Sequence, residues 1–228
     1  AAIIKIMTPD NDSNRSDPEK VPHDHHDIER DSVPSASNKT NNSTYQQPEK
    51  LTSADQAMFD GALSSESAGG VRNHEIDMRI ARDGSWFYLG SIINRKPLVK
   101  LFSTVLRLED DGQYYLITPV EKALIKVDDA PFTAVEMFVE GEGNDRKLTF
   151  RTNVDDQVTM DADHPLRVVI DDETGEPSPY ILVRHNLEAL IVRSVFYDLV
   201  DLAEETDRDM LAVWSAGTCF EIGGTLWK

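Results

Sequence analysis

From Ile76 onward, apolar and polar side chains alternate along most of the chain, the period of strands with one buried face. Ile76, Met78 and Ile80 predict a strand over 76–82. Asp83-Gly84 is a hairpin turn signal leading into a second strand over 86–89. Further strands are predicted over 113–118, 122–127, 132–140, 146–152, 158–160, 166–170 and 180–184, and 210–215 with 218–222 forms a closing hairpin. Two segments shift to a helical period. Leu98, Leu101, Phe102, Val105 and Leu106 predict a helix over 95–106. Asn94 is its expected N-cap, and Pro97 falls in the first turn, where a missing N–H does no harm. Val195, Phe196, Leu199, Val200 and Leu202 give a second helix over 194–204. A short helix is predicted over 53–63, with Met58, Phe59 and Leu63 on one side, followed by a linker over 64–70.

The first fifty residues lack either rhythm. From Thr8 to Lys50 the chain is mostly Asn, Asp, Ser, Pro, Thr and Glu, with Val21, Ile28, Val33, Ala36 and Tyr45 as its scattered apolar positions. Such a stretch buries too little surface to offset its ordering entropy, so 1–50 reads as a disordered tail. Ala1–Met7 is too short for a secretory signal, and Met7 is a candidate natural start. His23, Asp24, His25 and His26 read as a solvated run, because a disordered tail gives a metal no fixed geometry. Asn11, Asn38, Asn41 and Asn42 each open an Asn-x-Ser/Thr triplet, which matters only in a secreted protein.

Two segments of the folded part line up. Ile92 to Phe102 and Leu190 to Val200 both read as an apolar pair, any residue, Arg, then an amphipathic helix, with Arg95 matching Arg193 and Leu101 matching Leu199. Each follows an aromatic-led strand and precedes an acidic turn with a strand pair. The expectation is an α+β fold with a duplicated strand–helix–strand core in two halves, 71–130 and 131–228, behind the tail and the 51–70 helix and linker.

Composition narrows the function. The chain has 228 residues, 41 of them acidic and 23 basic, for a net charge of −18. That balance argues against a nucleic-acid partner, whose phosphates call for Lys and Arg. Residues 1–70 carry 12 acidic and 6 basic side chains, and the remainder is also acidic, so no acidic tail balances a basic body. One cysteine excludes an internal disulfide framework and any multi-cysteine zinc site. No apolar run approaches the ~18 residues of a membrane helix. The expected protein is cytoplasmic, with no membrane association and no cofactor.

Catalytic signatures are missing. Cys219 stands between Thr218 and Phe220 in a predicted strand, the place of a small buried hydrophobe. No serine occupies a Gly-x-Ser-x-Gly elbow, and neither a Walker A motif nor Gly-x-Gly-x-x-Gly occurs. The carboxylate pairs Asp110-Asp111, Asp128-Asp129, Asp155-Asp156 and Asp171-Asp172 all fall at predicted turns, where Asp is favoured for local hydrogen bonding. The scarce cations carry more information. Lys122, Arg151 and Arg184 lie in or at the ends of apolar strands, and Arg95 and Arg193 lie near helix starts. Arg recognises carboxylate or phosphate in a planar, bidentate way, and a helix N-terminus adds a weak anion preference. Pairing with the chain's own abundant carboxylates is the competing reading.

These residues sit within a wider pattern. Asp83 to Tyr88, Arg95 to Phe102, Tyr115 to Lys122, Asp129 to Phe132, Phe150 to Asn153, His164 to Leu166, Leu187 to Leu190 and Phe196-Tyr197 resemble, in order, the bacterial domain-of-unknown-function family DUF1285. The resemblance covers about 70–225, and Gly90 to Asn94 departs from it most. It implies a duplicated core, a C-terminal half superficially like a pleckstrin-homology fold, and a role in signal transduction with a nucleotide-like ligand between the halves. An anionic ligand there calls for cations. The first reading is thus a non-enzymatic sensor or regulatory module. Glu121 would orient Lys122 and contact ligand hydroxyls or amines. Arg151 and Arg184 would hold an anionic group, with Arg193 beside a helix start, and Thr118 and Asn153 would give neutral hydrogen bonds. The alternative is a protein-interaction adaptor with no small ligand. A hydrolytic or transfer enzyme ranks last, for want of a nucleophile, base or metal constellation.

Overall fold

The structure, a computed structural model, describes residues 50–63, 72–206 and 209–224. The tail read over 1–50, its histidine cluster and Asn-x-Ser/Thr triplets, and the 64–70 linker lie outside these residues but for Lys50. Helix α1, Ser53–Leu63, opens on a reciprocal cap. The Thr52 N–H donates to Asp55 Oδ2 at 2.7 Å, and the Asp55 N–H returns to Thr52 Oγ1 at 3.3 Å. Asp55 is buried and also meets Arg95 at 2.8 Å. The bond from the Thr52 N–H, with the nearby Arg95, holds its carboxyl below the usual range.

The first sheet comprises β1 (Arg72–Ile80), β2 (Trp86–Tyr88), β3 (Ser91–Ile92), β4 (Leu106–Leu108), β5 (Tyr114–Ile117) and β6 (Glu121–Val127), with α2 (Lys96–Thr104) between β3 and β4. Its order is β3-β2-β1-β6-β5-β4, with β1 and β6 parallel and every other pair antiparallel. Alternation sends Met78, Ile80, Trp86, Leu116, Ala123 and Ile125 inward. Phe102 of α2 stacks on Trp86 with ring centroids 6.1 Å apart and meets Phe59 of α1 at 5.1 Å.

The second sheet comprises β7 (Phe132–Glu140), β8 (Lys147–Thr152), β9 (Gln157–Thr159), β10 (Leu166–Ile170), β11 (Pro177–Arg184) and β12 (Leu187–Ile191). Its order is β10-β11-β12-β7-β8-β9, with β12 and β7 parallel. Each sheet is thus two three-stranded meanders whose first and last strands pair in parallel at the centre. Helix α3 (Arg193–Asp201) follows β12, and β13 (Glu204–Glu205), β14 (Met210–Ser215) and β15 (Thr218–Gly224) form a small antiparallel sheet. Buried Ser215 ties that sheet to the larger one: its Oγ accepts from the Leu148 N–H at 3.0 Å and donates to the Met160 carbonyl at 2.6 Å. Side chains of both halves form one contiguous core.

The predicted strands and helices are largely present, with differences: the second helix, read over 194–204, stops at Asp201 and Glu204–Glu205 is a strand, β3 was not predicted, and β11 starts at Pro177 rather than Tyr180. The first helix ends at Thr104, because Leu106–Leu108 pairs with β5. Its N-cap is Arg95 rather than Asn94, and the Arg95 side chain is spent on Asp55. Strand β12, central to its sheet, falls where no strand was predicted. It is five residues long and pressed between the His185-Asn186 turn and α3, too short to show its alternation. The helix register read from the sequence carries further than the helices. Like Arg95 and Arg193, elements 98 residues apart correspond within about two positions: α2 with α3, β4 with β13, β5 with β14 and β6 with β15.

Candidate functional site

The seven candidate ligand residues fall in three places. Arg151, Asn153 and Arg184 converge on the turn Thr152–Asp156 between β8 and β9, where the two halves meet. The Asn153 side chain donates from Nδ2 to the Gly84 carbonyl at 3.0 Å and accepts from the Thr133 N–H at 3.1 Å. Gly84 holds φ +82°, and a Cβ there would lie 2.6 Å from Asn153 Nδ2. Arg151 pairs with Glu136 at 2.7 Å and Asp155 at 3.2 Å. Arg184 pairs with Asp156, donates to the Ser103 carbonyl at 2.7 Å and lies over the Phe132 ring. Lys96 and Lys100 of α2 reach across to Asp155 at 2.6 and 3.3 Å. Burial works against the Asp155 charge, but the hydrogen bonds from the two lysines overcome it and hold its pKa below the usual 3.8. This cluster is a clasp whose donors and acceptors are matched within the protein.

Thr118, Glu121 and Lys122 sit apart, at the β5–β6 turn. The Thr118 hydroxyl accepts from the Glu121 N–H at 3.1 Å and closes the turn. Glu121 does not orient Lys122: neighbours on a strand face opposite sides, so Glu121 is buried while Lys122 points outward. Lys122 instead pairs with Glu109 at 2.9 Å and lies 4.1 Å from the Tyr115 ring centroid, and the hydrogen bond that it donates to Glu109 raises its pKa.

Arg193 lies in a concave place. A groove of about 540 Å³ runs between α3, the ends of β11 and β12, and the 174–179 loop. Ile191, Phe196, Val200, Pro177 and Pro179 give it apolar walls, and Arg82 from the first half joins Arg193 at it. Among the described residues each guanidinium has one carboxylate partner: Arg82 meets Asp129 at 3.2 Å, with Ser178 Oγ at 3.0 Å, and Arg193 meets Glu176 at 3.2 Å. Both arginine side chains are about two-thirds exposed; Glu176 is exposed as well, which leaves the Arg193 pair open to exchange, whereas Asp129 is largely buried. The first turn of α3 lines the groove, and no side chain caps it at Val192. Arg82 was missed in the sequence although it closes the strand read over 76–82, as Arg184 closes its own. A cation directly before Asp83-Gly84 was the available signal.

Groups suited to covalent chemistry are poorly placed. Burial, with Glu221 and Glu204 nearby, pushes the Cys219 thiol up, away from the thiolate. Among the described residues no three His, Cys, Asp or Glu side chains gather as a metal site. No helix among them is long and apolar enough to cross a membrane.

Comparison with known proteins places these elements in a family. The N-terminal domain model of DUF1285, described as a domain of unknown function, matches residues 71–130. The C-terminal domain model of DUF1285, described as a protein of unknown function, matches 131–222. A crystal structure of a DUF1285 family protein from Silicibacter pomeroyi DSS-3 is similar at TM-score 0.65 and 45% identity, over 73% of this chain and 93% of that one. A DUF1285 family protein from Shewanella baltica OS155 aligns at 27% identity and TM-score 0.44, over 54% of this chain and 90% of its own. No curated protein matches the chain. With two domain models matched in succession across most of its folded length, the chain belongs to the DUF1285 family.

Proposed function

We propose that this protein is a non-enzymatic, cytoplasmic sensor or regulatory module in signal transduction that binds a small anionic, nucleotide-like ligand in the groove beside α3. One observation carries the reading: two exposed arginines, Arg82 from the first half and Arg193 from the second, stand at one apolar-walled groove. A ligand phosphate or carboxylate would displace the Glu176 carboxylate from Arg193 at little cost, since an exposed ion pair is worth about 0–1 kcal/mol. Its apolar body would lie against Phe196 and Val200. Ligand binding would thereby report on the contact between the halves. Arg151, Arg184, Asn153, Lys122, Thr118 and Glu121 leave the ligand set in this reading, because each serves the fold. We also infer that the halves arose by duplication, on the strand order that the two six-stranded sheets share. The six strands of the second sheet followed by α3 support its pleckstrin-homology-like reading.

A thermal-shift screen of the full chain against nucleotides, cyclic nucleotides and phosphorylated metabolites tests the ligand. A hundredfold excess over Kd adds ~2.7 kcal/mol to the folded state. The expected result is a rise in Tm that Arg82→Ala or Arg193→Ala abolishes. A rise that survives both substitutions, or none across the panel, overturns the groove as the site. The adaptor reading has separate support in the exposed Val135, Phe138 and Val139 of β7.

A further inference from the structure

Strand β12 stops short of its neighbour. It pairs with β7 only at Phe132, Thr133 and Ala134, the Val192 N–H donates to the Ala134 carbonyl, and the chain then turns into α3. From Val135 to Glu140, β7 pairs with β8 alone. Among the described residues, the backbone groups on its other side have no partner. Val135, Phe138 and Val139 on this stretch are 36, 40 and 46% exposed. Natural sheet edges are guarded by charge, above all Lys, by Pro, by bulges or by brevity, and here the guards are the bulge between Ala134 and Glu136 and two glutamates. The facing end of β11 has two such guards, Pro177 and Pro179, whereas Val135–Glu140 has neither lysine nor proline.

Charge around the edge is lopsided. Glu136 and Glu140 lie on the strand, and Asp198 and Asp201 are exposed on α3, which packs against β7. The cations facing them are Arg151, held by Glu136, Lys147, which pairs in register with Glu140, and Arg146, whose guanidinium is held by the Leu202 carbonyl at the end of α3 at 3.1 Å. A second copy laid on this edge about a two-fold axis would set acid against acid, in a chain of net charge −18. We propose that the Val135–Glu140 edge receives, by strand addition, an extended segment of a partner protein in which Lys or Arg alternates with apolar residues. Backbone hydrogen bonds would supply affinity, Val139 on one face would pack the apolar positions, and Glu136 and Glu140 on the opposite face would select the basic ones. This rests on the adaptor reading and is independent of the groove.

The test uses the full chain and a fluorescent peptide of about eight alternating Lys and Val residues, read by anisotropy, with an alternating Glu and Val peptide as its counterpart. The expected result is binding of the basic peptide alone, weakened roughly tenfold or more by Val139→Lys or Glu140→Lys, a change of ~1.4 kcal/mol or more. Asp110→Lys in the first half, an equal charge change far along the chain, should leave it intact. Hydrogen exchange should slow at amides within 135–140 when the peptide is bound. Equal loss in Asp110→Lys, equal binding of both peptides, no binding, or unprotected 135–140 amides overturns the proposal. So does a concentration-dependent dimer that protects the same amides, which would make the occupant a second copy. Arg193→Ala should retain peptide binding, so a failure here is distinct from a failure of the groove.

Discussion

The clasp around Thr152–Asp156 and the groove beside α3 use the same materials, arginines facing carboxylates, to opposite ends. At the clasp the ion pairs stand beside backbone bonds: Asn153 joins Gly84 to Thr133, and Arg184 binds both Asp156 and a carbonyl of α2. At the groove, Arg193 holds one exposed carboxylate, Glu176, and Arg82 reaches Asp129 and Ser178 with a side chain that is itself mostly exposed. The lesson is that a cation in an acidic protein announces a partner but not its identity. What separates a structural arginine from an available one is how many protein groups depend on it and how much water can take their place.

Breaking the clasp should have the largest effect. Gly84→Ala forces a side chain into a left-handed backbone position, at ~1–2 kcal/mol, and drives its Cβ against Asn153. The expected loss is about 2–4 kcal/mol in urea denaturation, and a loss below about 1 kcal/mol would show that the turn adapts. Asn153→Ala strands the Thr133 N–H and should cost about 2 kcal/mol. If its stability equals wild type, the clasp is held by charge alone. The Asp155 pairs sharpen the comparison through pH. Because the folded pKa of Asp155 lies below its unfolded value, its contribution is present above the ordinary value of 3.8 and is lost as pH falls through the folded one. Acid titration of stability should therefore be shallower below that value in Asp155→Asn than in wild type, and parallel curves would contradict the linkage. The smallest effect belongs to the groove. Arg193→Ala should move stability by no more than about 0.5 kcal/mol while removing ligand-induced stabilisation, and a large drop in ligand-free Tm would place Arg193 with the structural arginines instead.

Much of this was legible in the chain. The alternation from Ile76 to Ile80 and from Phe132 to Glu140, and the helical spacing around Phe102 and Phe196, follow from burying one face, which each segment encodes by itself. β12 was not legible, because Leu187–Ile191 is a strand only by virtue of β7 and β11 on either side. The site was less legible still. Arg193 was found from its place at a helix start, but Arg82 reaches the same groove from 111 positions away in the chain. Lys122, Arg151 and Arg184 drew notice as cations among apolar residues. Their partners, Glu109, Glu136 and Asp156, come from neighbouring strands and turns, so only the sheet register reveals that they are already satisfied.

The parallel seam at the centre of each sheet sets an order of assembly during synthesis. β1 meets β6, the last strand of its sheet to be made, and β7 likewise waits for β12. The first sheet has all its strands once Val127 has cleared the ribosome, while the second lacks its central seam until Ile191 emerges. Throughout that interval β7, already paired with β8, offers its full length as an open edge to any nascent neighbour. Long-range seams of this kind close slowly. A slow codon run just after β12 would give the second sheet time to close, whereas one just before it would prolong the exposure.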